Sequence, residues 1–137
     1  MTTRPLFLLT VLATVMTGAC GGEEDTRDPV WSYISTAIVQ PNCATSSCHS
    51  KAAAVAGLDL STVDNGYISL VQLKLAPRGK PPYEAPRPMV QPGNPDESHV
   101  IHMLKADGAR RMPPDRPLAG ADIELFYQWI LNGAKHD

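Results

Sequence analysis

The chain has 137 residues and a formal charge of −2, which fits one small domain and does not favour nucleic acid as a partner. Its 13 prolines and 10 glycines predict a fold rich in loops. Only 6% of the residues are aromatic, and a domain of this size buries a limited share of its surface, so a large apolar cofactor would help to stabilise it.

The first 19 residues have the pattern of an export signal. Arg4 is followed by an apolar run over residues 6–15, which is too short to span a bilayer comfortably. The segment ends in Thr17-Gly18-Ala19-Cys20, which resembles the lipobox of bacterial lipoproteins, although that box usually has an aliphatic residue where Thr17 stands. We predict a signal peptide over residues 1–19 and a mature chain that begins at a lipid-modified Cys20. A plain secretory signal is the alternative.

The next residues are polar, glycine-led and acidic, and they predict a flexible tether over residues 20–29 ahead of a domain over residues 30–137. Both interpretations of the N-terminus place this domain outside the cytoplasm, in the periplasm or at the cell surface, where cysteines are not kept reduced. A free pair of thiols would tend to oxidise there, so Cys43 and Cys48 are expected to be a disulfide, metal ligands or thioethers.

The first predicted helix leads directly to these cysteines. Asp28-Pro29 offers an N-cap followed by a proline at the first helical position. Val30, Ile34 and Ile38 then recur at every fourth position, which indicates one apolar helix face. Pro41 is expected to end the helix, because proline has no amide N–H and its ring clashes with the preceding turn.

Three further helices and no strands are predicted, since no segment alternates apolar and polar residues. The fold class is therefore all-α, with about four short helices. Seven prolines between Pro77 and Pro95 indicate a long loop that needs a surface to lie against. The three helices begin at Ser61-Thr62-Val63-Asp64, which resembles a capping box, at Asn94-Pro95-Asp96-Glu97, and at about Gly120. The last one runs to Leu131 and is expected to bury Ile123, Phe126, Tyr127, Ile130 and Leu131.

The stretch Cys43-Ala44-Thr45-Ser46-Ser47-Cys48-His49 is the strongest chemical signal in the chain. Two cysteines followed directly by a histidine are typical of covalent c-type haem attachment, in which the thiols add to the haem vinyl groups and the imidazole binds the iron. The usual spacing has two residues between the cysteines, whereas four stand here. All four are small, so the extra residues can bulge outward.

A haem iron held by His49 usually takes a second ligand from far along the chain, and methionine sulfur is a weak-field choice that raises the reduction potential. Three methionines are available in the domain, Met89, Met103 and Met112. Met112 is the best placed, because the Pro113-Pro114 pair restricts its conformation and stiffens the turn. Met103 lies on a predicted helix, where it could fill core space, and Met89 lies in the proline-rich loop.

Three other interpretations of these residues stay open. Cys43 and Cys48 could form a disulfide worth about 2 kcal/mol, in a haem-free lipoprotein interaction module. The three motif residues could instead hold zinc together with His99 or His102. His99 or His102, which share a helix face, could also replace Met112 on a haem iron and give a lower potential.

Several short motifs follow the cysteines in order: Gly57-Leu58-Asp59-Leu60-Ser61, Val90-Gln91-Pro92-Gly93-Asn94-Pro95, Met112-Pro113-Pro114, Pro117-Leu118 and the stretch from Ile123 to Ala134. Their succession resembles the small cytochrome c domains of bacterial surface and periplasmic proteins. The resemblance covers residues 30–134 and departs from the family only in the four-residue gap. It implies a cytochrome c-like fold whose proline-rich loops wrap around one covalent haem c. It further implies thioethers at Cys43 and Cys48 and iron ligation by His49 and Met112.

The predicted function is single-electron transfer by a covalently attached c-type haem in the cell envelope. We expect a redox partner protein in the envelope and attachment to the membrane through the lipid on Cys20. No catalytic base, nucleophile or substrate pocket can be identified, so the chain is not expected to be an enzyme by itself, although it could be a subunit of a larger oxidoreductase. A five-coordinate haem with Met112 unbound, which senses or reduces a small ligand, is a further alternative.

Overall fold

The structure, a computed structural model, describes residues 25–74 and 89–137. The predicted signal peptide, the predicted lipid site Cys20 and residues 77–88 of the proline-rich loop lie outside these ranges. The all-α prediction is confirmed, because the described ranges contain helices and no strand. No helix in these ranges is both long enough and apolar enough to cross a membrane.

The described residues form four helices, two of which contain wide π-helical turns. In chain order they are α1 (Trp31–Tyr33, Ile34–Val39 and Gln40–Cys43), α2 (Val63–Tyr67 and Ile68–Gln72), α3 (His99–Lys105) and α4 (Gly120–Leu131). Three short 3-10 turns lie between them, at Val55–Gly57, Pro95–Glu97 and Gly108–Arg110. Helix α1 contacts both α2 and α4, and α3 packs on α4, so the helices enclose one core.

Helix α1 continues past Pro41 to Cys43, so the prediction that Pro41 ends it is wrong. The turn just before Pro41 is π-helical, and the Gln40 amide donates to the Ser35 carbonyl, five residues earlier. This wider turn displaces the hydrogen-bond ladder by one residue and so accommodates a proline ring that would clash in a regular α-helix. The helix therefore carries Cys43 in its last turn.

The start of α1 is capped by Asp137 and not by the predicted N-cap, Asp28. The helix begins later than expected, at Trp31, and its flanking residue Val30 offers no side-chain cap. The Trp31 amide donates to a side-chain carboxylate oxygen of Asp137, and the Ser32 amide donates to a main-chain oxygen of the same residue, both at 2.8 Å. A carboxylate at this position also interacts favourably with the positive end of the helix dipole.

Helices α2 and α3 are present as predicted, but each starts differently. Thr62, and not Ser61, caps α2, because its hydroxyl oxygen accepts a hydrogen bond from the Asn65 amide at 3.1 Å. Before α3, Pro95–Glu97 forms a separate 3-10 turn, and the helix itself begins after the buried Ser98. The predicted cap signals therefore lie within a few residues of the observed helix starts.

Helix α4 has the predicted bounds, and Phe126 and Ile130 are buried as predicted, but the rest of its buried face differs. Leu131 is 48% exposed, because the buried side turns toward the tryptophan that begins α1. Trp129 stacks on Trp31 with ring centroids 4.8 Å apart, and Phe126 meets both rings edge-on. These rings join the first and last helices in the centre of the core. The buried residues of α4 are Leu125, Phe126, Trp129 and Ile130, whereas Ile123 and Tyr127 are half-buried.

The described part of the predicted tether, residues 25–29, contacts α4. The Arg27 guanidinium donates to Asp122 at 2.7 Å and to Asp25 at 2.6 Å, and it lies 6.0 Å from the centroid of the Tyr33 ring. The hydrogen bonds from Arg27 lower the pKa of the Asp25 carboxyl to about 2. This stretch of the chain therefore lies against the domain through Arg27.

Gly66 allows α2 to pack directly on Trp31. A Cβ added at Gly66 would lie 3.0 Å from Cζ2 of Trp31. The indole ring is held in place, because it is fully buried and its Nε1 donates to the Val63 carbonyl at 2.8 Å. The close approach of α1 and α2 therefore requires a residue without a side chain at this position.

We expect Gly66→Ala to lower the free energy of unfolding by about 1–3 kcal/mol, because it overpacks the core. At an unobstructed helical position the same substitution is neutral or stabilising, since alanine favours the helix. Gly120→Ala is the matched control, because a Cβ at Gly120 meets nothing within 4 Å. Urea unfolding measures both variants, and equal stabilities would contradict the close packing at Gly66.

Candidate functional site

The cysteine–histidine motif forms a loop that starts where α1 ends. The His49 amide donates to the Cys43 carbonyl at 3.1 Å and closes the loop, and the Cys48 amide donates to the Thr45 carbonyl at 3.0 Å within it. Residues 45–47 are exposed, whereas Cys43, Cys48 and His49 are half-buried. Most of the intervening residues therefore bulge outward, and the two thiols and the imidazole stay against the domain.

The His49 ring is oriented by a backbone carbonyl. Its Nδ1 lies 3.0 Å from the carbonyl oxygen of Val55. A carbonyl can only accept a hydrogen bond, so Nδ1 carries the proton in the neutral ring, and Nε2 keeps its lone pair. Nε2 is therefore the nitrogen that can bind a metal, and a hydrogen bond donated by the other ring nitrogen is the usual support of a metal-binding histidine.

Two backbone hydrogen bonds fix the segment that supports this ring. The Val55 amide donates to the Cys48 carbonyl at 3.0 Å, and the Leu60 amide donates to the His49 carbonyl at 2.8 Å. Between them the chain bends through the left-handed region, which costs about 1–2 kcal/mol for each residue that has a side chain. The surrounding contacts thus hold a strained turn in place. The residues with positive φ are Ala54 (37°), Ala56 (60°) and Gly57 (79°).

Both cysteines of the motif are free thiols, so the disulfide considered above is not formed. Burial raises the pKa of the Cys43 thiol to about 11, with a smaller contribution from the negative charge of a Cys48 thiolate. Cys43 is therefore protonated at neutral pH. Because the thiolate is the form that binds metals, burial disfavours Cys43 as a metal ligand at this pH.

The three candidate methionines have different surroundings. Met89 is buried in the hydrophobic core with 7% exposure, and its carbonyl accepts a hydrogen bond from the Val100 amide at 3.1 Å. Met103, on α3, is half-buried and packs against the same core. Met112 is also half-buried, and its amide donates to the Met103 carbonyl at 3.0 Å. Met89 is thus a core residue, whereas Met103 and Met112 keep accessible side chains on neighbouring segments.

The two histidines of α3, His99 and His102, are exposed. Within residues 25–74 and 89–137, no three His, Cys, Asp or Glu side chains lie together as a metal-binding group. The zinc site that would join the motif to His99 or His102 is therefore not formed in the described part of the chain.

Two cavities among the described residues lie away from the motif. The larger, of about 400 Å³, lies beside the start of α1 and is lined by Asp28, Trp129 and Lys135 among others. The smaller, of about 210 Å³, lies between Arg27 and α4. Neither is lined by a residue of the motif or by Met112. The candidate site is instead a half-buried surface, next to which the side chain of Val55 is 44% exposed.

Asp59 organises the segment that follows the motif, a role that the sequence analysis did not assign. Its carboxylate accepts hydrogen bonds from the Ser61 amide at 3.0 Å, from the Ser61 hydroxyl at 2.6 Å and from the Asn65 side chain at 2.9 Å. Asn65 belongs to α2. Leu60 follows Asp59 directly, and its amide donates to the His49 carbonyl. Asp59 thus connects α2 to the motif. Aspartate side chains often accept a hydrogen bond from the backbone two residues further on, so an aspartate just before a predicted helix start is the signal that indicates this role.

Comparisons with known proteins provide no assignment for this surface. No protein-family model, curated protein or solved structure matches the chain. The roles of Cys43, Cys48, His49 and Met112 are therefore argued from the chemistry and the contacts of this chain.

The hydrogen bonds to Asp59 lower the pKa of its carboxyl below the ordinary 3.8, and those from Ser61 contribute most. Because the folded-state pKa is the lower one, the stabilisation is present above the unfolded pKa and is lost as the pH falls through the folded pKa. We expect Asp59→Asn to reduce stability at pH 7 and to weaken the loss of stability in acid.

Thermal melts between pH 7 and pH 2 compare this variant with the parent. Asp115→Asn is the control, because it changes an exposed carboxylate. The role of Asp59 would be contradicted if both variants lost stability in acid as steeply as the parent.

Proposed function

We propose that this domain binds one c-type haem covalently and carries single electrons in the cell envelope. When bound, the haem would supply a reversible one-electron couple at its iron. Cys43 and Cys48 would hold it through thioethers, and His49 and Met112 would bind the iron. We further propose that the described helices and the loops between them form a cytochrome c-like fold around it.

The observation that carries this proposal is the hydrogen bond from His49 to the Val55 carbonyl. It selects the tautomer whose Nε2 can bind a metal and holds the ring in one orientation. A loop that served only to carry a disulfide would need no oriented histidine beside its second cysteine. The contact therefore favours a metal-binding role for His49 over the interaction module.

The shape of the motif loop supports attachment in spite of its four-residue spacing. Residues 45–47 are exposed, so the additional residues do not push Cys48 or His49 away from the domain. The 3.1 Å hydrogen bond between the His49 amide and the Cys43 carbonyl keeps the ends of the loop together. Neither Cys43 nor Cys48 is part of a disulfide, and thioether formation requires such free thiols.

Met112 is our choice for the second iron ligand. Its side chain is half-buried, and its backbone is tied to α3 by the Met103 carbonyl. Met89 is less suitable, because it fills space in the core. A thioether raises the reduction potential of a histidine-ligated haem, and a His/Met pair is a ligand set of electron-carrying cytochromes c.

We also propose that the domain is exported and is tethered to a bacterial membrane by a lipid on Cys20. It would exchange electrons there with a redox partner protein in the periplasm or at the cell surface. This part of the proposal rests on the sequence pattern, because residues 1–24 lie outside the described ranges. We assign the chain no enzymatic activity of its own.

Variants of the two cysteines test the covalent attachment. The proteins are produced together with a cytochrome c maturation system and are then extracted with acidified acetone. Cys43→Ser and Cys48→Ser should each keep the haem through one thioether, and their pyridine spectra should shift to longer wavelength because one vinyl group stays unreacted. The double variant should lose all its haem, and a double variant that retains it would contradict the proposal.

Met112→Ala tests the second ligand. The oxidised parent should show the weak near-infrared band of methionine sulfur bound to iron, and the variant should lack it. Met103→Leu and Met89→Leu are volume-conserving controls and should keep the band. If the band survives in Met112→Ala, one of the other two methionines is the ligand. If the parent has no band, the iron is bound by a histidine or is five-coordinate.

A further inference from the structure

Arg111 folds its side chain over the two residues that follow Met112. Its Nη2 donates to the Pro114 carbonyl at 3.2 Å, and its Nε donates to the Pro113 carbonyl at 3.4 Å. Neither proline has an amide N–H, so this part of the loop offers only hydrogen-bond acceptors. The guanidinium supplies the donors that the two prolines lack.

The loop around Met112 is therefore held from both sides. On one side the Met112 amide donates to the Met103 carbonyl of α3 at 3.0 Å. On the other side is Arg111, whose own amide donates to the Gly108 carbonyl at 3.1 Å. Arg111 is half-buried, whereas its neighbour Arg110 is exposed. A loop that is ordered in advance loses less conformational entropy when its side chain binds.

We infer that Arg111 is a positioning residue for Met112 and holds the Met112-Pro113-Pro114 segment in the shape that keeps the thioether at the iron. This inference rests on the proposed function, because it concerns Met112 as an iron ligand. Arginine suits the role, since its planar fork presents several donors in a fixed geometry to two neighbouring carbonyls. Loss of these guanidinium hydrogen bonds would make the Met112 segment more mobile and would leave the thioethers at Cys43 and Cys48 intact.

The test compares Arg111→Gln with Arg110→Gln, which removes the same charge one residue away. Imidazole is the probe, because it competes with methionine for the oxidised iron and abolishes the near-infrared band. We expect imidazole to bind Arg111→Gln about tenfold more tightly than the parent, a change equivalent to about 1.4 kcal/mol. Hydrogen bonds donated by a charged group have this magnitude. Arg110→Gln should bind imidazole as the parent does, and Arg111→Lys should lie between the two.

The outcomes separate the inference from the function that it rests on. Equal imidazole affinities for Arg111→Gln and Arg110→Gln overturn the inference, and a normal c-type pyridine spectrum in both then leaves the proposed function standing. A parent without haem overturns both. A parent that has haem but lacks the near-infrared band overturns the inference and the ligand role of Met112, and it leaves the covalent attachment standing. If Arg111→Gln does not fold, hydrogen exchange of the Met112 amide decides: faster exchange in Arg111→Lys than in Arg110→Lys supports the inference, and equal exchange overturns it.

Discussion

The hydrogen bond from Nδ1 of His49 to the Val55 carbonyl is the contact on which the candidate site depends. A histidine without it could rotate and could carry its proton on either nitrogen. The contact exists because the chain bends sharply over residues 54–57, and the amides of Val55 and Leu60 hold that bend at the carbonyls of Cys48 and His49. The backbone strain at Ala54 and Ala56 is therefore needed to place the Val55 carbonyl beside Nδ1 of His49.

The helical core fixes the position of this loop. Helix α1 begins at Trp31, which is stacked on Trp129 and capped by Asp137, and it ends at Cys43. Burial of large aromatic rings is among the strongest contributions to a small core, at about 25 cal/mol per Å² of apolar surface. The motif is thus attached to a helix whose first residue is fixed in the core. The loop that carries Met112 is tied to α3 by backbone hydrogen bonding.

Local signals predicted α4 over Gly120–Leu131, because spacing and stop residues within one segment set its bounds. They also located the motif, whose cysteines and histidine lie within seven positions of each other. Two predictions failed for different reasons. Pro41 does not end α1, because a local π-helical turn accommodates its ring, and Leu131 is exposed, because α4 packs toward Trp31. The hydrogen-bond acceptor of His49 could not be predicted either. Every residue has a backbone carbonyl, so the side chain at Val55 gives no sign of this role.

Covalent haem attachment at the motif is the central claim of this account. The most direct measurement is the mass of the proteolytic peptide that spans Cys43 to His49, taken from the full chain after production in cells that make c-type cytochromes. We predict a single peptide that carries one haem bound at both cysteines and contains no free thiol. A haem-free peptide, with Cys43 and Cys48 as thiols or joined to each other in a disulfide, would contradict the account.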